Sequence, residues 1–444
     1  MQLARQLQLT LTAVSLWFVV LATPCLAQLD GVLGAAPNQT EAMKVTDRIY
    51  MASGFGNTFL VKTDDGNVII DTSLPTQAPK HHGHLKKITT APTRYIIFTH
   101  AHEDHTGGAG RWKEEGTKVI AQRGFVEHRK YQDRLAIFFA HRNAAQFGFE
   151  AKRLVEMARS HRPAVEPTIL FDDKYEFEQG GVKFELFHTP GETPEHLTVW
   201  LPQYKAAFVG DNFYDSFPNL YTLRGTRPRW ALEYIDSINK VLDLQPEILL
   251  PSHGNPIMGA DKIKAALTKY RDAIKYVHDE TVKGMNEGHD VYRIMRDVKL
   301  PAELDIGDAY GKVSWSVRGI YDGYVGWFDG DPATMYEESP AEADLELVEM
   351  AGGAEAVAAR AIKLVDEGQP VRGLRLARMS ILADPKCHLA AHARAEALKA
   401  LLAKSRNSNE RGWLTSALRH AEEHLAADAK GKKSKEPPAT PKSE

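Results

Sequence analysis

Residues 99–108 read Thr-His-Ala-His-Glu-Asp-His-Thr-Gly-Gly and directly follow an apolar run, Tyr-Ile-Ile-Phe, at residues 95–98. Three imidazoles and one carboxylate therefore lie close together in the chain: His100, His102, Asp104 and His105. A chain that turns sharply at the end of a buried strand can direct His100 and His102 to one cation while the other pair faces a second. Zinc prefers neutral imidazole and carboxylate ligands, and two neighbouring metals can share one water. The stretch predicts a binuclear zinc site, and the alternative is a polar loop that is merely rich in histidine.

The H-x-H-x-D-H pattern after a buried strand resembles the metal-binding signature of the metallo-β-lactamase superfamily. Gly107 and Gly108 close the motif, and they allow a tight backbone path into a helix that is predicted to begin near Ala109. The resemblance implies that further metal ligands come from the ends of later strands, along one edge of the fold.

The pattern from Met43 to about Ile257 alternates short β-rich runs with helix-like stretches, which is typical of an αβ/βα sandwich. Asp65-Gly66-Asn67 is predicted to be a hairpin turn between the first two long strands. The predicted strands include Thr58–Thr63, Asn67–Asp71 and Tyr95–Thr99, and the predicted helices include Gln77–Ile88 and Ala109–Glu115. Asp71, at the end of its strand, is predicted to orient a ligand and not to bind metal itself.

The length of 444 residues exceeds one ordinary core, so more than one domain is expected. We predict a catalytic domain at 28–260 with a helical insertion at 126–162, a helical domain at 261–427, and a disordered tail at 428–444. Hydrophobic residues make up 43% of the chain and charged residues 25%. The formal net charge of -3 gives no long-range attraction for nucleic acid, so an anionic substrate must be held by local charges.

The first 27 residues resemble a secretory signal that is cut after Ala27. Arg5 is their only charged side chain, and a mostly apolar run extends from Leu9 to Ala22. A membrane anchor is the alternative, but the apolar run is short for a span and no basic cluster follows it. Cleavage leaves Cys387 as the only cysteine, so no internal disulfide is expected in the periplasmic or secreted protein.

Three later segments supply the remaining metal ligands that the resemblance implies. Glu192 stands where most superfamily members carry histidine, and Glu195 and His196 are the alternatives at that position. Asp211 follows the apolar strand at 206–210 and is expected to bridge both metals. The implied site has one zinc on His100, His102 and Glu192, and a second on Asp104, His105 and His253. Asp211 and a shared water join the two ions.

Residues 219–225, Asn-Leu-Tyr-Thr-Leu-Arg-Gly, resemble the alkylsulfatase branch of the superfamily. Further matches lie at residues 270–279 and at residues 315–330, and the latter resembles the start of that family's dimerisation domain. The resemblance, which spans about Met43 to Leu425, implies hydrolysis of an alkyl sulfate to an alcohol and inorganic sulfate by a homodimer. It leaves open whether water attacks sulfur or carbon, and which chain length is preferred.

A sulfate ester is a monoanion whose tetrahedral oxygens fit a guanidinium fork, and Arg224 is the predicted clamp. Asn219 and Tyr221 are predicted to add neutral donors, whereas Arg227 and Arg229 either join the clamp or are solvated surface charges. Asp104 and Asp211 are the predicted catalytic carboxylates. Asp211 is expected both to bridge the metals and to accept a proton.

Two departures from the alkylsulfatases concern the substrate. Those enzymes typically carry a Glu-Asn pair where this chain has Asp211-Asn212, and they continue into a sterol-carrier-like domain that is absent from this sequence. The insertion at 126–162 is rich in Phe, His and Arg. It either lines an apolar pocket for a substrate tail or packs its aromatic residues against one another, and the second is the expectation.

The C-terminal helices between Ala343 and Ala427 resemble tetratricopeptide-like hairpins, and packing against a partner subunit is their expected role. Two other classes of function use the same sequence features. A metallohydrolase of a lactam, lactone, thioester or phosphoester would be favoured if Arg224 faced away from the zincs. A dimeric scaffold without catalysis would be favoured if the protein were stable and functional without metal.

Overall fold

The structure is a computed structural model that describes residues 39–159 and 164–433. The predicted signal at 1–27 lies outside these residues. The last helix reaches Lys433, so the first residues of the predicted tail at 428–444 are helical, and the rest of that segment is not described. Among the described residues, no helix has both the length and the apolar composition that crossing a bilayer requires.

The secondary structure begins with strands and ends with helices. The strands are β1 Met43–Lys44, β2 Ile49–Ala52, β3 Thr58–Thr63, β4 Gly66–Ile70, β5 Thr93–Ile97, β6 Lys118–Gln122, β7 Ile169–Phe171, β8 Lys174–Gln179, β9 Val182–His188, β10 Leu197–Leu201, β11 Ala206–Gly210, β12 Ile248–Pro251 and β13 Ile257–Met258. The helices are α1 Ala78–Lys86, α2 Glu103–Thr106, α3 Phe125–Arg134, α4 Ala136–Phe147, α5 Ala151–Arg159, α6 Ala231–Asp243, α7 Ala260–Asn286, α8 Val291–Asp297, α9 Val313–Val325, α10 Pro340–Met350, α11 Ala354–Asp366, α12 Pro370–Ala383, α13 His388–Lys404 and α14 Ser408–Lys433.

The strands form two mixed sheets. Seven strands lie in the order β1-β2-β3-β4-β5-β6-β7, and six lie in the order β13-β12-β11-β10-β9-β8. The first sheet is antiparallel from β1 to β4 and parallel from β4 to β7, whereas β11 and β12 are the parallel pair of the second. The carboxyl ends of β4, β5, β11 and β12 carry the polar residues of the site.

The two sheets pack face to face, with helices on their outer faces. The core between the sheets contains Phe59 and Phe208, whose ring centroids lie 5.1 Å apart in an edge-to-face contact. Leu85 of α1 and Trp112 cover the outer face of the first sheet, and residues of α6 and α7 cover the second. This layering is the αβ/βα sandwich that the alternating pattern predicts.

The predicted helix at Ala109–Glu115 is wrong in its form. The chain instead makes the short helix α2 within the motif, followed by a single 3-10 turn at Ala109–Arg111. Gly107 and Gly108 have φ angles of -66° and -91°, which any residue adopts, so unusual torsions do not explain them. A Cβ at Gly107 would meet Pro75, and one at Gly108 would meet the carbonyl oxygen of Thr72. These glycines therefore allow the motif to lie directly against the backbone that follows β4.

The described chain divides into two compact units. The first contains the sandwich and continues to Trp327, apart from residues 144–148. Helices α7 and α9 share a hydrophobic core with the second sheet, so the predicted domain boundary at residue 260 falls inside this unit. The second unit contains residues 144–148 and everything from Phe328, and small apolar clusters hold its helices together, for example Ala361, Ala377 and Ala393.

Candidate metal centre

The candidate ligands converge at one edge of the sandwich. His100, His102, Asp104 and His105 follow β5, Glu192 lies between β9 and β10, Asp211 follows β11, and His253 follows β12. Gly210 helps to place Asp211, since it has a φ of 52° and a Cβ there would overlap the His196 ring. All seven side chains except that of Asp104 are at least nine-tenths buried.

The first group of ligand atoms combines His100, His102 and Asp211. Nε2 of His100 lies 2.9 Å from Nδ1 of His102 and 3.7 Å from Oδ2 of Asp211. Glu192 adjoins this group, because its Oε1 lies 3.8 Å from Nδ1 of His102. Burial lowers the pKa of both imidazoles well below the usual value, and neutral imidazole is the form that binds metal.

The second group combines Asp104, His105, Asp211 and His253. Nε2 of His105 lies 3.3 Å from Oδ2 of Asp104 and 3.4 Å from Oδ1 of Asp211. Nε2 of His253 lies 3.1 Å from Oδ2 of Asp211. Burial opposes ionisation of Asp211, but His253, His105 and His100 hold its pKa well below the usual value. Asp211 is therefore the one carboxylate common to both groups.

These residues fit two metal ions. Nε2 of His105 and Oδ1 of Asp211 are buried without a hydrogen-bond partner in the described parts of the chain, and burial of unpaired polar atoms is costly. Burial also raises the pKa of Glu192 to about 7, although Arg229 acts in the opposite direction. A cation shared by such atoms would offset this cost, and the donor set of imidazole nitrogens and carboxylate oxygens is the one that zinc prefers.

Asp71 has the orienting position predicted for it. Its Oδ2 lies 2.9 Å from Nδ1 of His105 and accepts hydrogen bonds from the hydroxyls of Thr99 and Ser252. The backbone N–H of Thr99 donates to Oδ1. These contacts fix the His105 ring so that its Nε2 faces the other ligands.

The alternatives to Glu192 have other partners. Oε1 of Glu195 accepts the backbone N–H of Ala101, and Oε2 lies 3.1 Å from Nδ1 of His128. Nε2 of His196 accepts the backbone N–H of Asp211. Glu195 and His196 thus brace the metal-binding loops, and Glu192 is the residue of this segment that adjoins the ligand atoms.

The chain segment that carries Arg224 and Arg229 lies beside the first group of ligand atoms. The guanidinium of Arg229 is buried, and its Nη1 donates to Oε2 of Glu192 and, over 2.8 Å, to the carbonyl oxygen of Asn219. Nε and Nη2 of Arg229, Nε of Arg224 and Oδ1 of Asn219 are buried without a partner among the described residues. Arg224 also contributes, after burial and His100, to the lowered pKa of His102. Three of these four atoms are guanidinium N–H donors, and charge-assisted donors of this kind suit an anion.

Tyr221 and Arg227 do not join this group of buried donors. Tyr221 is 40% exposed and packs against Gly319 of α9, where it lines a cavity of about 120 Å³ with Trp230 and Tyr324. The guanidinium of Arg227 lies over the Tyr131 ring, 4.5 Å from its centroid. The described contacts of Tyr221 are with α9 and this cavity, so they do not support its predicted contact with the substrate.

The family models match both parts of the chain. The model of the Metallo-beta-lactamase superfamily matches residues 52–253, and that of Alkyl sulfatase dimerisation matches residues 291–424. The chain is 30% identical over 393 residues to a linear primary-alkylsulfatase of Pseudomonas sp., a match that covers 83% of this chain and 74% of the relative.

Two further relatives are secondary-alkylsulfatases. The chain is 28% identical to an (R)-specific secondary-alkylsulfatase of Pseudomonas sp. over 91% of its own length. The solved structure of the stereoselective inverting sec-alkylsulfatase Pisa1 from Pseudomonas sp. matches with a TM-score of 0.78 and 28% identity over 86% of this chain. This chain spans 65% of the length of each of these two proteins.

Proposed function

This chain belongs to the alkylsulfatase family, within the metallo-β-lactamase superfamily, and we propose that it hydrolyses alkyl sulfate esters to an alcohol and inorganic sulfate. One observation carries the proposal: two groups of candidate metal-ligand atoms share Asp211, and the neighbouring loop contains buried guanidinium N–H groups that have no partner among residues 39–159 and 164–433. The first feature suits hydrolysis, and the second suits an oxyanion.

Seven residues would hold two zinc ions. His100, His102 and Glu192 would bind one, Asp104, His105 and His253 the other, and Asp211 would bridge them. Bound zinc would supply activation of water and neutralisation of developing negative charge. The assignment of Glu192 is supported by its 3.8 Å distance from His102 and by the other engagements of Glu195 and His196.

The chain's own residues would bind and orient the ester. Nε of Arg224 and Nη2 of Arg229 would donate to sulfate oxygens, and charge-assisted bonds of this kind contribute about 1.5 to 3 kcal/mol each. Nη1 of Arg229 is already engaged with Glu192, so one guanidinium would join the metal ligand to the substrate. Asp211 would also accept the proton of the attacking water, because it is the one carboxylate that adjoins both groups of ligand atoms.

A comparison of ester classes tests this reaction. The zinc-loaded protein is expected to cleave octyl sulfate with a kcat/KM at least about a hundredfold above that for a phosphate monoester, a lactone, a thioester or a β-lactam. Asp104→Ala should lose both zinc and activity, whereas Asp133→Ala, at an exposed position of α3, should keep them. Cleavage of one of the other classes without release of sulfate would refute the proposal.

Hydrolysis in oxygen-18 water would assign the broken bond, because the label enters sulfate after attack on sulfur and the alcohol after attack on carbon.

We propose further that the protein acts as an exported homodimer. The composition of residues 1–27 supports a cleaved signal, and the match of residues 291–424 to the dimerisation model supports self-association. N-terminal sequencing of the protein from its native cell should begin near Gln28, and light scattering should give twice the mass of the chain. An intact N-terminus or a monomer would contradict the respective part.

A further inference from the structure

We propose that the helical insertion between β6 and β7 binds the apolar tail of the substrate, so that this chain selects sulfate esters by the length of their tail. The binding surface consists of Tyr131, Ile137, Phe138 and Phe139, and we call it the tail surface. The inference rests on the proposed sulfate ester hydrolysis and assigns the part of the substrate that the metal centre does not hold.

The insertion is anchored beside the metal-binding loop. Phe125, at the start of α3, stacks on Phe98 with ring centroids 5.4 Å apart and an interplanar angle of 11°. One turn later, the buried His128 lies 3.1 Å from the Glu195 carboxylate, whose other oxygen accepts the N–H of Ala101. The first helix of the insertion is therefore held at a fixed place relative to the metal ligands.

Aromatic rings lead outward from the metal centre along the insertion. The ring of His102 lies 6.0 Å from that of His128, which lies 5.6 Å from Tyr131. Tyr131 lies 5.7 Å from Phe139, and Phe139 lies 5.5 Å from Phe138. All four contacts are edge-to-face. This series of ring contacts thus begins at His102, a candidate metal ligand, and ends at Phe138, which is half exposed.

The same surface touches the loop that carries the anion clamp. Arg142 of α4 donates to the carbonyl oxygens of Arg224, over 2.6 Å, and of Leu223, over 2.5 Å. A Cβ at Gly225 would lie 3.6 Å from Phe138 and 3.7 Å from Phe139, so both phenyl rings border the residue after the clamp. An alkyl sulfate has an anionic head and an apolar tail. The guanidinium groups would bind the head, and the phenyl rings beside them would contact the tail.

The exposure of these side chains favours a ligand. Phe138 is 50% exposed and its neighbour Ile137 is 45% exposed. The rings of the insertion pack against one another, as the sequence predicts, and Phe138 and Ile137 in addition leave about half of their surface exposed. Adjacent exposed apolar side chains mark binding surfaces, and an alkyl tail lying over them would remove them from water.

A series of straight-chain sulfates tests the tail surface. We expect kcat/KM to rise about threefold to fourfold for each methylene added from butyl to dodecyl sulfate, below the critical micelle concentrations, until the surface is covered. Phe138→Ser should lower the value for dodecyl sulfate about tenfold, mainly through KM, and change that for butyl sulfate less than about twofold. Ile137→Ser should act in the same direction. Met258→Ser changes a comparably exposed apolar residue on β13 and should leave both values unchanged.

Two results would overturn the inference. The first is that kcat/KM depends on tail length in the same way in Phe138→Ser and in wild type. The second is that Phe138→Ser loses activity only above the critical micelle concentration, which would indicate contact with an aggregate and not with a single tail. Binding of butyl and dodecyl sulfonates, measured by calorimetry, separates this inference from the proposed reaction because a C–S bond is not hydrolysed. A dodecyl preference that Phe138→Ser abolishes supports the tail surface even if no ester is cleaved. Equal affinity for the two sulfonates refutes it even if sulfate esters are cleaved.

Discussion

Replacement of Arg229 by methionine should destabilise the metal-free protein by about 3 kcal/mol. The guanidinium is 1% exposed and its carboxylate partner, Glu192, is 6% exposed, so removal of the cation leaves a buried carboxylate uncompensated. Breaking a buried pair in this way typically costs about 3 to 5 kcal/mol. The carbonyl oxygen of Asn219 also loses a donor. We expect the lower end of the range because the pKa of Glu192, raised by burial to about 7, allows protonation to relieve part of the cost.

Urea unfolding in the presence of a chelator measures this effect. The control is Arg123→Met, because Arg123 makes two hydrogen bonds with Asp172 but both side chains are more than half exposed. We expect a cost below about 1 kcal/mol for this variant. A double-mutant cycle with Glu192→Gln should give a coupling of about 2 kcal/mol. A loss below about 1 kcal/mol for Arg229→Met, or additive effects in the cycle, would refute the buried pair.

Three further predictions concern substrate, metal and pH. Arg224→Ala should raise KM for sulfate esters about tenfold or more without loss of zinc, while the half-buried Arg227→Ala should change it little; equal effects on both would contradict the clamp. Chelation should lower the stability of the wild type by about 4 kcal/mol for each bound ion, or about 8 kcal/mol for two, relative to protein in zinc at a thousand times its Kd, and should affect Asp211→Ala much less; thermal unfolding with and without chelator checks this. Burial lowers the pKa of His81 from 6.5 to about 4, so the folded state keeps this ring neutral. The contribution of the neutral ring to the free energy of unfolding is complete above pH 6.5 and is lost toward pH 4 at about 1.4 kcal/mol per pH unit. Between pH 7 and pH 5, the free energy of unfolding should therefore fall by about 2 kcal/mol more in the wild type than in His81→Gln. Equal falls in the two proteins would contradict the prediction.

Several candidate ligands can be predicted from the sequence because they follow apolar runs that end strands. His100, Asp211 and His253 need no knowledge of distant contacts beyond the rule that strand ends meet at one edge of a sandwich. Asp71 followed from the same reasoning. Its three side-chain partners and one backbone partner required the structure.

The residues that sequence reasoning misjudged act through partners far away in the chain. From the sequence, Arg229 either joins the clamp or is a solvated surface charge, and no role is predicted for His128. Arg229 pairs with Glu192, and His128 pairs with Glu195. No local periodicity encodes such pairs, because they form only when segments that are far apart in the sequence meet in the fold. The same holds for Gly107 and Gly108, where packing against the chain after β4 and not the backbone torsion requires glycine.

The most direct test of the binuclear alkylsulfatase site is the release of inorganic sulfate from octyl sulfate as zinc is added stepwise to the metal-free protein. We expect sulfate and alcohol to appear in equal amounts, with a rate that rises until two zinc ions are bound per chain and then stays constant. Absence of sulfate at every zinc concentration, from protein that binds the metal, would contradict the proposed reaction. A constant rate after the first ion would contradict the two-metal centre.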